Sequence, residues 1–228
     1  MTVLFRIMRR VEMLVGVPKE IKTQEFRVGL VPNSVVELVH RGHQVLVETN
    51  AGTGIGASDD EYRAAGADIA ATAGDVFAKA DMIVKVKEPQ PDEWMQLSPN
   101  QILFTYLHLA ADAPQAYGLA NSGCTAIAYE TITDEQGGLP LLAPMSEVAG
   151  RLAVIEGASH LKANAGGRGV LISGVPGTEP ADVLVIGGGV VGANAAKMAV
   201  SLGAGVTVFD RWVRRRGCMA DTIGNSLK

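Results

Sequence analysis

The sequence predicts an α/β fold built on parallel sheets, and three observations predict it. Short β-rich runs alternate with helix-forming stretches along most of the chain. The runs are almost continuously apolar, as strands buried on both faces must be. Near the C-terminal end a glycine-spaced turn follows one such run and opens a helix.

The elements follow in order. Residues 1–12, MTVLFRIMRRVE, hold too short an apolar stretch for a signal peptide. They read as a disordered leader ahead of a start at Met13. Strands are expected at LVGV (14–17), QVLVET (44–49), MIVKVK (82–87), ILFTYL (102–107) and TAIAYE (125–130). Two helices between them begin on S-x-x-E, Ser34 to Glu37 and Ser58 to Glu61. In that pattern hydroxyl and carboxylate reciprocally satisfy the first exposed amides. SEVAGRLAVIEGASHLKANA (146–165) reads as a long helix with Ser146 as its N-cap. GGRGVLISGVPGTEPAD (166–182) reads as loop. Two more strands are expected at VLVIG (183–187) and VTVFD (206–210). The domain boundary is placed near Pro140, giving an N-terminal domain over 13–140 and a second over 141–228.

Composition narrows the function. Apolar residues make up 47%, enough for a buried core, and the net charge is −4. The basic cluster near the C-terminal end, Arg211 with Arg214, Arg215 and Arg216, reads as a solvated helix face rather than a nucleic-acid surface. No apolar run reaches the roughly 18 residues needed to cross a bilayer. Cys124 and Cys218 read as reduced thiols in a cytoplasmic protein. His40, His43 and His160 lack metal-ligand spacing, and no metal is expected.

Gly187, Gly189 and Gly192 fit G-x-G-x-x-G between a strand and a helix, ANAAKMAVSL. A second strand then closes on Asp210, about 20 residues on, which is the context a dinucleotide-binding turn requires. Gly187 permits the tight turn, Gly189 lets backbone approach a pyrophosphate, and Gly192 lets helix and strand pack closely. The pyrophosphate would face the helix N-terminus. A carboxylate at 210 would accept from the ribose hydroxyls and repel a 2′-phosphate, favouring NAD, although Arg211 beside it could pair with that phosphate. This reads as the opening of a Rossmann domain.

The rest of the chain adds a resemblance. GVPKEIKTQEFRVGLVP (16–32), RGH (41–43), KVKEP (85–89), ILFTYLHLA (102–110), AYET (128–131), LPLLAPMSEVAGRLA (139–153) and GGRGVLISGVPG (166–177) occur in order. With them the sequence resembles the alanine dehydrogenase family, which also holds the NAD-binding subunit of proton-pumping transhydrogenase. The unbroken PMSEVAGR favours the dehydrogenase branch. The resemblance implies a substrate domain followed by a Rossmann NAD-binding domain, here incomplete, and assembly as a homohexamer in the cytoplasm. It implies reversible oxidative deamination, in which L-alanine, NAD⁺ and water give pyruvate, ammonium and NADH. By motif, Arg27 is expected to bind the substrate carboxylate. Lys87 is expected to hold the carboxylate or the keto oxygen, and His108 to be the acid/base. Met145 and Ser146 are further cofactor-binding candidates.

These residue types suit those tasks. A guanidinium forks onto a carboxylate, an ammonium polarises a carbonyl, and a histidine exchanges protons near neutrality. Each also has a plainer reading: a surface ion pair for Arg27, a solvated strand end for Lys87, a structural histidine for His108, a helix cap for Ser146. Strand alternation points Lys85 and Lys87 to the same face, so pattern alone does not choose between them. In the family the Rossmann domain continues past the second strand, so this chain reads as an incomplete form with little activity alone. The alternatives are a non-catalytic remnant that binds substrate, and the transhydrogenase subunit.

Overall fold

A computed structural model describes residues 12–212, which divide into two compact units at Ile132/Thr133. The leader before Glu12 and the tail from Val213, including Arg214, Arg215, Arg216 and Cys218, lie outside the described residues.

The first unit alternates strand and helix throughout. It runs β1 (Leu14–Val17), α1 (Pro32–His40), β2 (Gln44–Glu48), α2 (Asp59–Ala64), β3 (Asp68–Ala70) and α3 (Ala73–Lys79). It continues through β4 (Met82–Val84), α4 (Pro91–Trp94), β5 (Ile102–Thr105), α5 (Ala113–Ser122) and β6 (Thr125–Ala128). All strand pairs are parallel, in the order β3-β2-β1-β4-β5-β6. β2 shows how the sheet is sandwiched. Val45 and Val47 enter one buried cluster with Val17, Val35 and Tyr62, while Leu46 between them enters the other with Phe77, Ile83 and Leu103. The period-two alternation of a strand thus feeds two cores. The buried Tyr62 hydroxyl donates to the Leu30 carbonyl at 2.8 Å, and burial pushes its pKa up to about 12.

The chain lays down β1, β2 and β3 in one direction, then returns to place β4 on the other side of β1. The loops after β1 and β4 therefore diverge to opposite sides. In open parallel sheets this is where a ligand crevice forms, outside the carboxyl ends of the strands.

Two local expectations change in this unit and one holds. The S-x-x-E at Ser34 caps nothing, because Pro32 takes the first helical position and Val31 is the N-cap. A proline there is preset for the helix and needs no amide partner. At Ser58 the expected box forms, with Glu61 N–H donating to the Ser58 hydroxyl and Ser58 N–H to the Glu61 carboxylate. β3 is an additional strand, a three-residue DIA segment too short to stand out.

The second unit holds α6 (Ala143–His160), β7 (Asp182–Ile186), α7 (Val190–Ser201) and β8 (Gly205–Phe209). α6 starts before Ser146, with Leu142 as N-cap and Pro144 in the first turn. Ser146 therefore lies inside the helix, and its N–H donates to the Leu142 carbonyl at 3.1 Å. β7 and β8 pair in parallel around α7, the opening unit of a Rossmann fold. Their core is small and alanine-rich: Ala196, Ala199 and Val206 are fully buried. Among the described residues no helix is long and apolar enough to cross a membrane.

Candidate functional site

The site in the first unit is built on Glu20, in the loop after β1. Its carboxylate accepts the N–H of Val86 at 2.6 Å and that of Lys87 at 3.4 Å. Its other oxygen accepts from Lys85 Nζ at 3.1 Å. Lys85 Nζ also lies 2.7 Å from Glu93 Oε1 on α4. All three side chains are buried. Burial pushes the Glu93 carboxyl up and the Lys85 ammonium only partly offsets it. A buried lysine between two carboxylates is a structural clamp, and removing one partner would strand charge in the interior.

This clamp separates the two lysines. β4 ends at Val84, where the Glu20 carboxylate begins to take the following amides, so alternation no longer decides orientation at 85 and 87. Lys85 turns inward. Lys87 stays half-buried in the crevice, with its carbonyl held by the Thr105 hydroxyl at 2.9 Å. Its charge helps lower the Glu25 carboxyl, after the larger effect of the Arg27 hydrogen bond.

Arg27 lies in the same β1 loop. Its guanidinium forks onto Glu25, Nε to Oε1 at 2.8 Å and Nη2 to Oε2 at 2.6 Å. Tyr106, two residues short of His108, feels the Arg27 charge, although burial is the larger effect and raises its phenol. The His108 ring lies parallel to the Tyr106 ring, 11° apart at 5.9 Å between centroids. Its Nδ1 is 3.4 Å from Glu88 Oε2, and Glu88 in turn pairs with Lys22 Nζ. Arg27, Lys87 and His108 thus gather beyond the ends of β1, β4 and β5, three adjacent strands. Glu20, Glu25, Glu88, Tyr106 and Glu130 join them. None of these was singled out in the sequence, where their only signal was a place inside the matching motifs.

The glycine turn of the second unit has the geometry its spacing demands. Gly187 holds φ 103°, a left-handed backbone that favours glycine. A Cβ on Gly192 would stand 1.7 Å from the Gly187 carbonyl oxygen, whereas one on Gly189 would meet nothing within 4 Å. So Gly192 serves packing, and Gly189 faces open space that a ligand can enter. Gly187, Gly189 and Ser146 line a cleft of about 780 Å³ between α6 and β7. Met145 lies just before Ser146 on α6, 38% exposed. Asp210 Oδ2 accepts the Gly188 N–H at 2.6 Å, which ties the end of β8 to the turn. The Arg211 guanidinium lies over the Trp212 ring at 5.4 Å. Among the described residues no group of three or more His, Cys, Asp or Glu could hold a metal ion.

Comparison with known proteins matches this two-part plan. Residues 16–149 match the alanine dehydrogenase/PNT N-terminal domain, and residues 153–228 match the C-terminal domain. The chain belongs to the alanine dehydrogenase/PNT family. An alanine dehydrogenase of Halomonas elongata is 54% identical over 216 residues, 95% of this chain and 58% of that protein. The alanine dehydrogenase of Bacillus subtilis is 51% identical, over 95% of this chain and 57% of that protein. The chain therefore spans just over half the length of these curated relatives. A solved L-alanine dehydrogenase superposes with a TM-score of 0.88 at 52% identity, covering 95% of this chain and 60% of that one. A solved transhydrogenase from Sinorhizobium meliloti superposes at 0.78 with 26% identity, covering 94% of this chain and 64% of that one. Within the family, both measures place the chain nearer this dehydrogenase than this transhydrogenase.

Proposed function

We propose that the chain carries the substrate-binding unit and the first nucleotide-binding β-α-β unit of an NAD-dependent L-alanine dehydrogenase. The reaction is the reversible conversion of L-alanine, NAD⁺ and water to pyruvate, ammonium and NADH. The observation that carries this reading is the meeting of Arg27, Lys87 and His108 at the switch point between β1 and β4.

Each residue has a task that its chemistry suits. Arg27 binds the substrate carboxylate through its fork. Lys87 holds the carboxylate or keto oxygen and draws electron density from the carbonyl carbon, which favours attack by ammonia in the reverse direction. His108 moves the proton as water adds and ammonia departs, with Glu88 at Nδ1 to fix its orientation. A nicotinamide, when bound, supplies hydride exchange at the substrate carbon. Gly187 and Gly189 would seat its pyrophosphate at the start of α7, with Gly192 letting the helix pack close enough to the turn. Ser146 and Met145 would flank it from α6. Asp210 would take the adenosine ribose hydroxyls, which favours NAD over NADP. The open face of Gly189 and the neighbouring cleft fit such a group. Cytoplasmic action and a homohexameric assembly belong to the same proposal, by family likeness.

A second reading draws on the second unit. Its described sheet has two strands, and Ile186 and Phe209 at their ends are 83% and 61% exposed. On that reading the first unit binds pyruvate without turnover.

Alanine-dependent NAD⁺ reduction, alongside pyruvate binding by calorimetry, tests both. Turnover lost in Arg27→Ala, Lys87→Ala and His108→Ala supports the first reading. Pyruvate binding that needs Arg27, with no NADH formed, supports the second. Pyruvate affinity unchanged by Arg27→Ala sinks both.

A further inference from the structure

His108 holds φ 48° and ψ 36°, a left-handed backbone. For a residue with a side chain this conformation is unfavourable, so its surroundings must enforce it. The enforcement is visible on both sides of the turn. Glu130, just after β6, accepts the His108 N–H at 2.7 Å and the Leu107 N–H at 3.0 Å on the same oxygen, with its second oxygen 3.3 Å from the Leu107 amide. From the other side Gln115, fully buried on α5, donates from Nε2 to the Leu107 carbonyl at 2.8 Å.

Glu130 is itself anchored by its neighbour. Tyr129 sets its ring edge-on to Phe104 and Tyr106, with centroids at 4.4 and 4.9 Å, and its hydroxyl donates to the Lys85 carbonyl at 2.9 Å. The segment AYET thus plants one residue in the aromatic cluster and aims the next at the neighbouring loop. Burial raises the Glu130 carboxyl, but backbone amides and the nearby His108 outweigh it and hold the group below the usual glutamate range. Other charged groups near the turn are Glu88 and Lys22, from the loops after β4 and β1, and Asp112 at the start of α5. Glu130 is the group whose carboxylate takes both turn amides.

We propose that Glu130 is a positioning residue for His108. By accepting the Leu107 and His108 amides, it locks the left-handed turn that lays the imidazole on Tyr106 with Nδ1 toward Glu88, leaving Nε2 for the substrate. The inference rests on the reading of His108 as the acid/base. It goes beyond that reading in assigning the work of holding the histidine to a residue 22 positions away, after the next strand.

The experiment is amide NMR of the 228-residue chain with pyruvate titrations in the presence of NADH. It compares the parent, Glu130→Gln, His108→Gly and the double variant. In the parent, the Leu107 and His108 amide protons are expected to titrate together with acid, at a midpoint below the ordinary glutamate value. Glu130→Gln presents an NH₂ where one acceptor oxygen stood. It should abolish that shared titration and weaken pyruvate binding about tenfold, the scale of a lost charge-assisted hydrogen bond. In the His108→Gly background the same substitution should leave pyruvate affinity within twofold, because no ring remains to be positioned. Equal losses in both backgrounds would make Glu130 a general structural support and overturn the proposal. So would parent amides that show no carboxylate titration, a result that needs no variant to fold. If His108→Gly alone leaves pyruvate affinity unchanged, the acid/base reading fails, while the amide titration still decides whether Glu130 holds the turn.

Discussion

Glu25 fills the guanidinium fork of Arg27 with two near-parallel hydrogen bonds, at 2.8 and 2.6 Å. A carboxylate of the protein already occupies the group proposed to bind the carboxylate of the substrate. The pair is partly exposed on the arginine side, so its contribution to stability is small, about 1 kcal/mol at most. Glu25→Gln should therefore barely change urea stability and should tighten pyruvate binding several-fold, because a neutral amide competes less well for the fork. Calorimetry decides it: weaker binding in the variant would mean that Glu25 preorganises Arg27 instead of competing for it.

The two lysines of KVKEP should separate cleanly. Lys85→Met leaves Glu20 and Glu93 buried without their cation and should cost about 3–5 kcal/mol in denaturant unfolding. Lys87→Met, at a half-buried position in the crevice, should stay within about 0.5 kcal/mol of the parent. It should still lose most pyruvate affinity. The reverse pattern would assign the substrate to the wrong lysine.

Acid should loosen the first unit. Hydrogen bonding to Arg27 lowers Glu25, and the Thr49 hydroxyl and Asn50 amide lower Asp59. In Glu130 burial opposes the backbone amides and loses to them. A carboxyl whose pKa is lower folded than unfolded adds stability above its unfolded value, and that stability is lost as pH falls through the folded value. Glu93, raised by burial, has the opposite sign: its contribution is present in acid and fades as pH rises through its folded value. Urea midpoints should therefore fall as pH drops below about 4. Glu130→Gln should flatten that fall, and a midpoint independent of pH there would contradict the assigned hydrogen bonds.

Two glycines of one motif should fail in different ways. Gly192→Ala places a Cβ 1.7 Å from the Gly187 carbonyl oxygen and should disrupt the β7–α7 turn, seen as lost amide protection in α7. Gly189→Ala meets no atom within 4 Å, and its φ of −71° admits alanine. It should leave amide protection intact while weakening NADH binding, followed by nicotinamide fluorescence. Equal NADH affinity in parent and Gly189→Ala would remove Gly189 from the cofactor site.

Where one period ruled a segment, the sequence could be read directly. The strands from LVGV to VTVFD, the Ser58 box and the glycine turn are local patterns, and all appear within a residue or two of their expected ends except MIVKVK, which stops three residues early at Val84. Reading failed where two local rules competed. At Ser34 a capping pattern met a proline two residues earlier, and the proline set the helix start. At Ser146 the helix began on Ala143 and Pro144, so a good capping residue was left inside it. It also failed where a distant residue redirected the backbone. Nothing local says that Glu20, more than 60 residues away, will take the amides after Val84 and send Lys85 inward. Glu130 was hidden for the same reason, since its partners belong to another loop.

The placement of β4 beside β1 has a consequence for how the molecule is made. Val15 pairs with Met82, so the central rung of the sheet joins residues 67 apart, with two intervening strands already laid down. Closing so long a loop costs entropy before the contact returns any energy, and such pairings form late. A nascent chain that has completed β1, β2 and β3 carries Arg27 and Glu20 but no partner for either crevice wall. Ligand recognition therefore matures in a single late step, when the returning strand docks, and ribosome-bound chains ending before β4 should fold locally yet ignore pyruvate.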